Sequence, residues 1–87
     1  MSLYEIELHA KDRQRGEATG QELAAWQMIF GGTTTMISNT VLRWHPDDDE
    51  FSTFDPMSML VDRMVEFGVI NTATDTWQLL EREHVGG

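Results

Sequence analysis

The chain opens on a strict alternation of apolar and polar side chains over Leu3–His9. The apolar positions lie on one face and the polar positions on the other: Tyr4, Ile6 and Leu8 against Glu5, Glu7 and His9. A period of two residues is typical of a strand with one buried face, so we predict a strand here. The polar residues of mixed charge that follow, Ala10–Ala18, predict a loop.

A capping box predicts the start of the first helix. Thr19 and Glu22 have the spacing at which a hydroxyl and a carboxylate satisfy each other's free backbone amides. Apolar side chains then recur at helical spacing, at Leu23, Trp26 and Phe30. The pair Gly31–Gly32 is expected to end the helix, because glycine accepts the left-handed conformation that follows a helix.

The segment 33–45 is rich in Thr, Ile, Val and Trp, which favour strands. We predict a hairpin of two short strands, Thr34–Ile37 and Thr40–His45, with Ser38 and Asn39 at the turn. One longer strand is the alternative.

An Asp-Pro pair predicts the start of the second helix. Asp55 is the expected N-cap, and Pro56 occupies the first helical position, where its missing amide hydrogen carries no cost. Phe54 and Met59 stand at the two positions of a hydrophobic staple. The residues before this helix, Pro46–Thr53, predict an acidic loop.

The second helix is predicted to bury one apolar face, formed by Met57, Leu60, Val61, Met64 and Phe67. Gly68 is the expected C-terminal cap, after which Val69 is placed to pack back on Met64.

A last strand is predicted over Thr76–Glu83, after a turn-rich link at Asn71–Asp75. Trp77 and Leu79 are expected to point inward, and a short helix is the alternative. The tail 84–87 is expected to fray.

The order strand, helix, strand, strand, helix, strand predicts one α+β domain. It matches the split-βαβ, ferredoxin-like arrangement, in which a four-stranded antiparallel sheet carries both helices on one face.

Two other resemblances lie in the second half of the chain. Met59–Leu80 resembles the recognition helix and wing of a winged-helix domain, which makes a winged-helix-like α+β fold the alternative. That resemblance implies DNA binding, yet the helix carries Asp62 and Glu66 against Arg63, and such a face repels phosphates. The terminal Gly86–Gly87 resembles the tail of ubiquitin-like modifiers, which begin with a strand hairpin where this chain has a charged loop.

Composition adds a strong charge signal. Fifteen acidic residues face six basic ones, giving a net charge of −9 in 87 residues, and Lys11 is the only lysine. Nucleic acids and anionic membranes require compensating positive charge, so this balance excludes them as direct partners. The surplus fits either a surface for a basic partner or a solubilising coat, and a salt-adapted organism is a third explanation.

The chain has no cysteine, which excludes a disulfide scaffold and a thiolate metal site. The first residues, Met1–Glu7, contain neither a basic n-region nor an apolar h-region, so no signal peptide is predicted. A cytoplasmic location is expected.

A run of carboxylates beside a tryptophan is the main candidate binding surface. The acidic run Asp47–Glu50 is expected to form an anionic edge, with Trp44 as an exposed aromatic anchor beside it. The predicted partner-binding residues are Trp44, Asp47, Asp48, Asp49, Glu50, Glu5, Glu7, Asp62 and Glu66. The remaining tryptophans and three methionines form either core or an adaptable binding face: Trp26, Trp77, Met57, Met59 and Met64.

A weaker hypothesis places a metal ion or an acid–base pair in the same loop. His45, Asp47 and Asp49 offer the imidazole and the oxygen ligands, but the loop lacks the alternating acids and central glycine of a calcium loop. His9, His45 and His84 lie at the ends of three predicted strands, where they would bind zinc only if those ends converged. No cofactor is expected.

No motif supplies a catalytic set, so a non-enzymatic role is predicted. The first hypothesis is a small acidic interaction protein that binds a basic macromolecular partner. Its narrowest version is an inhibitor that occupies a nucleic-acid-binding surface, as small phage-encoded antagonists do. The runner-up is a metal-dependent or acid–base enzyme using His45, Asp47 and Asp49. The third hypothesis is a subunit of a homo-oligomer, because a four-stranded sheet leaves one face and two edges to cover.

Overall fold

Strands and helices alternate along the chain in the order predicted from the sequence. The computed structural model describes residues 2–82. The elements are β1 (Tyr4–His9), α1 (Arg13–Phe30), β2 (Thr33–Met36), β3 (Val41–His45), α2 (Phe54–Glu66) and β4 (Thr76–Glu81). A 3₁₀ turn at Asp49–Phe51 interrupts the loop before α2. Of the residues described, neither helix combines the length and apolar character that crossing a bilayer requires.

The four strands form one antiparallel sheet in the order β2-β3-β1-β4. β1 lies between β3 and β4, so that Ile6 pairs with Trp44 on one side and Leu79 on the other. β2 and β3 are the arms of the predicted hairpin, closed at its turn by the Ser38 N–H and the Val41 carbonyl. The predicted βαββαβ order is confirmed; the single longer strand and the winged-helix-like alternative are not observed.

Both helices cover the same face of the sheet. The inward side chains of β1 and β3 are at most 1% exposed: Ile6, Leu8, Leu42 and Trp44. They share one apolar core with the buried stripes of the helices, which are Leu23 and Trp26 in α1 and Met57, Val61 and Met64 in α2. The residues between them on β1 and β3 point to the opposite side, the open face of the sheet.

The first helix begins at Arg13, so the predicted loop Ala10–Ala18 and the predicted N-cap at Thr19 are wrong. Asp12 is the N-cap, and its carboxylate accepts a hydrogen bond from the Arg15 N–H at 2.9 Å. Aspartate caps a helix at least as well as threonine, and here it comes earlier in the chain. Thr19 lies inside the helix and is 1% exposed.

The predicted glycine caps at both helix ends are confirmed. Gly31 follows α1 with a φ of 75°, and Gly68 follows α2 with a φ of 79°. At the second end, the N–H groups of Gly68 and Val69 bond to the carbonyls of Val65 and Met64 at 3.2 and 2.9 Å. This is the Schellman pattern, and it places Val69 and Met64 together in the core as predicted.

The second helix begins at Phe54 with Thr53 as its N-cap, so the predicted cap at Asp55 is wrong. Pro56 therefore occupies the third helical position. Its missing amide hydrogen still costs nothing there, because the first four N–H groups of a helix have no intrahelical partner. Phe54 and Met59 are 54% and 67% exposed, so the predicted staple is wrong as well.

The last strand, Thr76–Glu81, is observed in place of the short-helix alternative. Trp77 and Leu79 face the helices as predicted, because they pair with inward residues of β1. Trp77 is nevertheless 38% exposed, since β4 is an edge strand. Residues 83–87, including the predicted end of this strand and the tail, lie outside the described residues.

Gly16 allows α1 to approach the β2-β3 hairpin closely. The residue is buried inside the helix, and its N–H keeps the helical bond to the Asp12 carbonyl at 2.8 Å. A Cβ at this position would overlap the backbone carbonyl oxygen of Asn39 at the hairpin turn. A larger residue would therefore push the helix off the hairpin.

A buried carboxylate joins α1 to the link that precedes β4. Asp75 is 3% exposed and accepts hydrogen bonds from the Thr19 hydroxyl at 3.2 Å and the Asn71 N–H at 3.1 Å. The Thr74 hydroxyl lies at 3.2 Å and the Arg15 guanidinium at 3.6 Å. The hydroxyl expected to cap the helix is thus bound to a residue 56 positions away.

Gly16→Ala is expected to lower the free energy of unfolding by about 3 kcal/mol, because the added methyl group must displace the hairpin backbone. Gly20→Ala, one turn further along, is the matched control. Its methyl group would stand 3.6 Å from Leu42, an ordinary contact. Alanine also favours a helix over glycine by about 0.5–1 kcal/mol, so this control is expected to stabilise. Urea denaturation followed by circular dichroism measures both. Equal effects in the two variants would contradict the close approach at Gly16.

Asp75→Ala is expected to destabilise the fold by about 3 kcal/mol, because buried donors around it lose their acceptor. Asp62→Ala, at an exposed position of α2, is the control and is expected to change stability by less than about 0.5 kcal/mol. Thermal and urea unfolding compare the two variants. If both unfold at the wild-type midpoint, the carboxylate does not join α1 to the link.

Candidate functional site

Several large apolar side chains lie together beside the helices without being buried. They are between 53% and 75% exposed: Ile29, Phe30, Phe51, Met59 and Phe67. Phe67 was predicted in the buried face of α2, and this is wrong because it is the cap residue past the helix end. Large apolar side chains that lie exposed near one another are candidates for a site of contact.

Three neighbouring depressions lie beside the helices: one between α1 and α2, one between α1 and the residues just past α2, and one between α2 and the 3₁₀ turn. The central one, of about 330 Å³, is lined by Trp26, Phe30, Leu60, Arg63 and Phe67. A second, of about 380 Å³, shares its three aromatic side chains and extends to Ala25, Ile29 and Val69. A third, of about 410 Å³, shares Leu60 and Arg63 and extends to Phe51, Pro56 and Met59. We refer to these three adjoining depressions together as the interhelical groove.

Three aromatic rings form the centre of the interhelical groove. Trp26, which is only 3% exposed, lies 4.3 Å from Phe30 and 5.9 Å from Phe67 between ring centroids. The rings of Phe30 and Phe67 are 6.4 Å apart. These are favourable distances for aromatic pairs. The two exposed rings therefore pack against a buried one.

Carboxylates stand at both ends of the interhelical groove. Glu22 lines the end near Val69, and Glu50 lines the opposite end. Arg63 lies along the middle, where it pairs with Glu66 at 3.2 Å, both side chains being 63% exposed. Asp62 and Glu66 are exposed on α2, as predicted. The groove thus combines an apolar lining with an acidic rim.

The acidic run Asp47–Glu50 is exposed, as predicted, but three of its four carboxylates contact other groups of the chain. Asp47 accepts hydrogen bonds from the Gly32 N–H at 3.1 Å and from the Thr33 hydroxyl at 3.2 Å, both just after α1. Asp48 caps the 3₁₀ turn, and Asp49 lies 3.5 Å from the Arg82 guanidinium. Glu50 is the member of the run that reaches the interhelical groove.

Trp44 does not form the exposed anchor predicted from the sequence. It is 1% exposed and packs edge-on against Trp26, with ring centroids 6.2 Å apart. A Cβ at Gly32 would overlap the indole, so the backbone after α1 lies directly against this ring. Trp44 points toward the helices because it alternates with Arg43 and His45 along β3.

The predicted outward role of Glu7 is also wrong, because the open face of the sheet binds this carboxylate. Glu7 is 6% exposed and accepts hydrogen bonds from Arg43 Nε at 2.7 Å and Gln78 Nε2 at 3.0 Å. His9 Nε2 lies 2.5 Å from Glu7 Oε1, the oxygen that also accepts the bond from Gln78. Glu5 stands 3.8 Å from the same Arg43 guanidinium. These two acids therefore neutralise a cation of their own sheet.

The weaker hypothesis of a metal site at His45, Asp47 and Asp49 is not supported, because the structure does not bring these three side chains together. His45 Nδ1 lies 3.1 Å from a guanidinium nitrogen of Arg82, a cation that would repel a metal ion. Asp47 and Asp49 bind the different neighbours described above. Among residues 2–82, no three His, Asp or Glu side chains are grouped so as to hold a metal ion.

The histidines do not converge either. His9 pairs with Val41 at one end of β3, and His45 stands at the other end of that strand. Four residues of strand separate them by about 13 Å. His84 lies outside the described residues.

Sequence reasoning missed the interhelical groove because it assigned its residues to the core or to a staple. The available signal was the apolar run Met28–Phe30, which continues around α1 beyond its buried stripe. When a helix turn carries apolar side chains on several sides, one core buries only some of them and the others stay exposed. Met59 in α2 is a similar excess residue, because it lies off the stripe that ends at Met64.

Glu7 is expected to make stability depend on pH. Hydrogen bonds from His9 and Arg43 lower its pKa from 4.5 to about 2, against the effect of burial. The folded state therefore binds this proton less readily than the unfolded state, so the stabilisation is fully present above about pH 4.5 and is lost as the pH falls toward 2. Because the open face of the sheet is next to solvent, the stabilisation by Glu7 is limited to about 1–2 kcal/mol.

The test compares urea unfolding of wild type and Glu7→Gln across this pH range. The wild type is expected to be more stable than Glu7→Gln near neutral pH. This difference in the free energy of unfolding is expected to vanish in acid. Glu17→Gln, at an exposed position of α1, is the control and should change stability by less than about 0.5 kcal/mol. A Glu7→Gln effect that stays constant with pH would contradict the assignment.

Comparison of the chain with protein-family models, with curated proteins and with solved structures finds no match. The function is therefore inferred from the geometry and charge of the residues themselves.

Proposed function

We propose that this chain is a small, non-enzymatic interaction protein that binds a basic protein partner. The observation that carries the proposal is the interhelical groove, an apolar depression with a carboxylate at each end. The cytoplasmic location predicted from the sequence is part of this proposal.

The apolar lining supplies the binding energy in this proposal. Phe30 and Phe67 are more than half exposed, although aromatic side chains of their size are usually buried. Aromatic residues and methionine are enriched at protein interfaces, where a few of them carry most of the affinity. The groove offers both, since Met59 lies at one end.

The acidic rim determines which partner is favoured. Glu22 and Glu50 stand at the two ends, and the chain carries a net charge of −9. A surface of this sign attracts basic proteins at long range and repels acidic ones. The narrower version of the proposal, an inhibitor that occupies a nucleic-acid-binding surface, draws on the same charge, because such surfaces are basic.

The two alternative functions have less support. The enzyme hypothesis depended on His45, Asp47 and Asp49, which bind separate neighbours. A homo-oligomer would use the same apolar groove, but two copies of a chain with a net charge of −9 repel each other.

Affinity capture from cells of the native host, with mass spectrometry, tests the proposal. The groove variant Met59→Ser/Phe67→Ser removes two exposed side chains and is expected to lose at least about tenfold of the basic protein captured by wild type. The matched control Met36→Ser/Ile37→Ser removes two side chains of similar exposure from the hairpin and is expected to capture normally. Raising the salt concentration tenfold should weaken capture severalfold, because salt screens the rim.

Equal capture by both variants, or capture of acidic proteins at any salt concentration, would overturn the proposal. Adding nucleic acid tests the narrower version. It is expected to displace this chain from the captured protein if both occupy one surface. Sedimentation of the isolated chain tests the homo-oligomer, whose association would depend on the groove residues.

A further inference from the structure

We propose that the occupant of the interhelical groove is an amphipathic α-helix of the partner, with basic residues beside its apolar stripe. This inference rests on the proposed function and deepens it, because it specifies the shape and charge of the segment that binds.

The interhelical groove consists of adjoining depressions, a shape into which the side chains along one face of a helix can dock. Three hollows of about 330 to 410 Å³ follow one another and share lining residues, with Trp26 and Phe67 common to two of them. An amphipathic helix presents anchors at i, i+3 or i+4, and i+7 along one stripe. Ridges of such a helix pack into a groove between two others by the ordinary geometry of helix packing. In this proposal, the side chains along one stripe of the bound helix fill these hollows.

The walls of the groove favour a helix over an extended peptide. Its lining comes mainly from the side chains of α1 and α2, whose backbone groups are already bonded within each helix. An extended segment would bring unpaired N–H and C=O groups against this apolar surface, which is costly. The free sheet edges that could pair with such a segment belong to β2 and β4. A helix satisfies its own backbone and needs only side-chain contacts.

The charges around the groove specify a basic helix. Glu22 and Glu50 lie at the two ends, so a bound helix meets a carboxylate near each of its termini. Arg63 is the cation of the lining, and Glu66 neutralises it. The net charge of −9 opposes a second copy of this chain as the occupant.

The test uses the full chain and two synthetic peptides of about 18 residues with identical Leu and Lys content. In the first, leucines recur at helical spacing; in the second, they alternate at strand spacing. Isothermal titration is expected to show at least about tenfold tighter binding of the helical-period peptide, with helical ellipticity gained on binding.

Variants of the chain locate the binding site. Met59→Ser/Phe67→Ser is expected to weaken binding of the helical-period peptide at least about tenfold, and the control Met36→Ser/Ile37→Ser should leave it unchanged. Glu22→Gln/Glu50→Gln is expected to weaken binding severalfold and to flatten its dependence on salt.

Equal binding of the two peptides, or binding that survives in the groove variant, would overturn the helical occupant. Failure of the helical-period peptide while capture from cells still depends on the groove would also overturn it, and the proposed function would stand. Failure of both experiments would remove the proposed function as well.

Discussion

The packing of two helices on one face of the sheet determines what this chain buries and what it leaves exposed. The inward residues of β1 and β3 fill the space beneath the helices, with Trp44 against Trp26 at the centre. A domain of this size has a single core, so helix positions off the inward stripe have no second layer to pack against. Ile29 and Met59 occupy helix positions of this kind, and Phe67 lies just past the end of α2. Their exposed side chains line the interhelical groove, which is therefore a consequence of this packing. Gly16 and Asp75 contribute to the same result, because they fix α1 against the hairpin and against the link before β4.

The distribution of charge follows from how few cations the chain has. Each of its five arginines lies within 4 Å of a carboxylate: Arg13, Arg15, Arg43, Arg63 and Arg82. Two of these pairings involve buried acids, Glu7 on the open face and Asp75 beneath α1. Structural pairing therefore uses the arginines, and the surplus of negative charge stays on the surface, where Glu22 and Glu50 reach the groove.

Elements with local signals could be predicted from the sequence, and errors arose where the deciding contact is distant. The alternation over Leu3–His9 and the cap at Gly68 depend on neighbours in the chain, and both predictions are confirmed. Thr19 looked like a helix cap because its spacing to Glu22 is right, but its hydroxyl binds Asp75. The burial of Trp44 could have been predicted, because alternation along β3 places it on the same face as Leu42. The apolar run Met28–Phe30 signalled exposed apolar surface, but the shape of the groove could not be predicted, since the approach of Phe30 to Phe67 depends on how the two helices dock.

Exposed aromatic groups and a high net charge have opposite effects on self-association, and this opposition narrows the choice of partner. The apolar groove alone would favour contact between copies of the chain, while their charge of −9 each opposes it. The proposed occupant, a basic amphipathic segment, would meet neither obstacle, because its apolar stripe would contact the lining and its cations would face the rim. The two features also act at different stages of binding. In the proposed complex, carboxylates such as Glu22 would accelerate the encounter over distances that salt can screen, whereas contacts with Phe30 and Phe67 would form only after docking and would set the lifetime of the complex. Under this proposal, the acidic rim would provide the selectivity of the complex and the apolar groove would provide its lifetime.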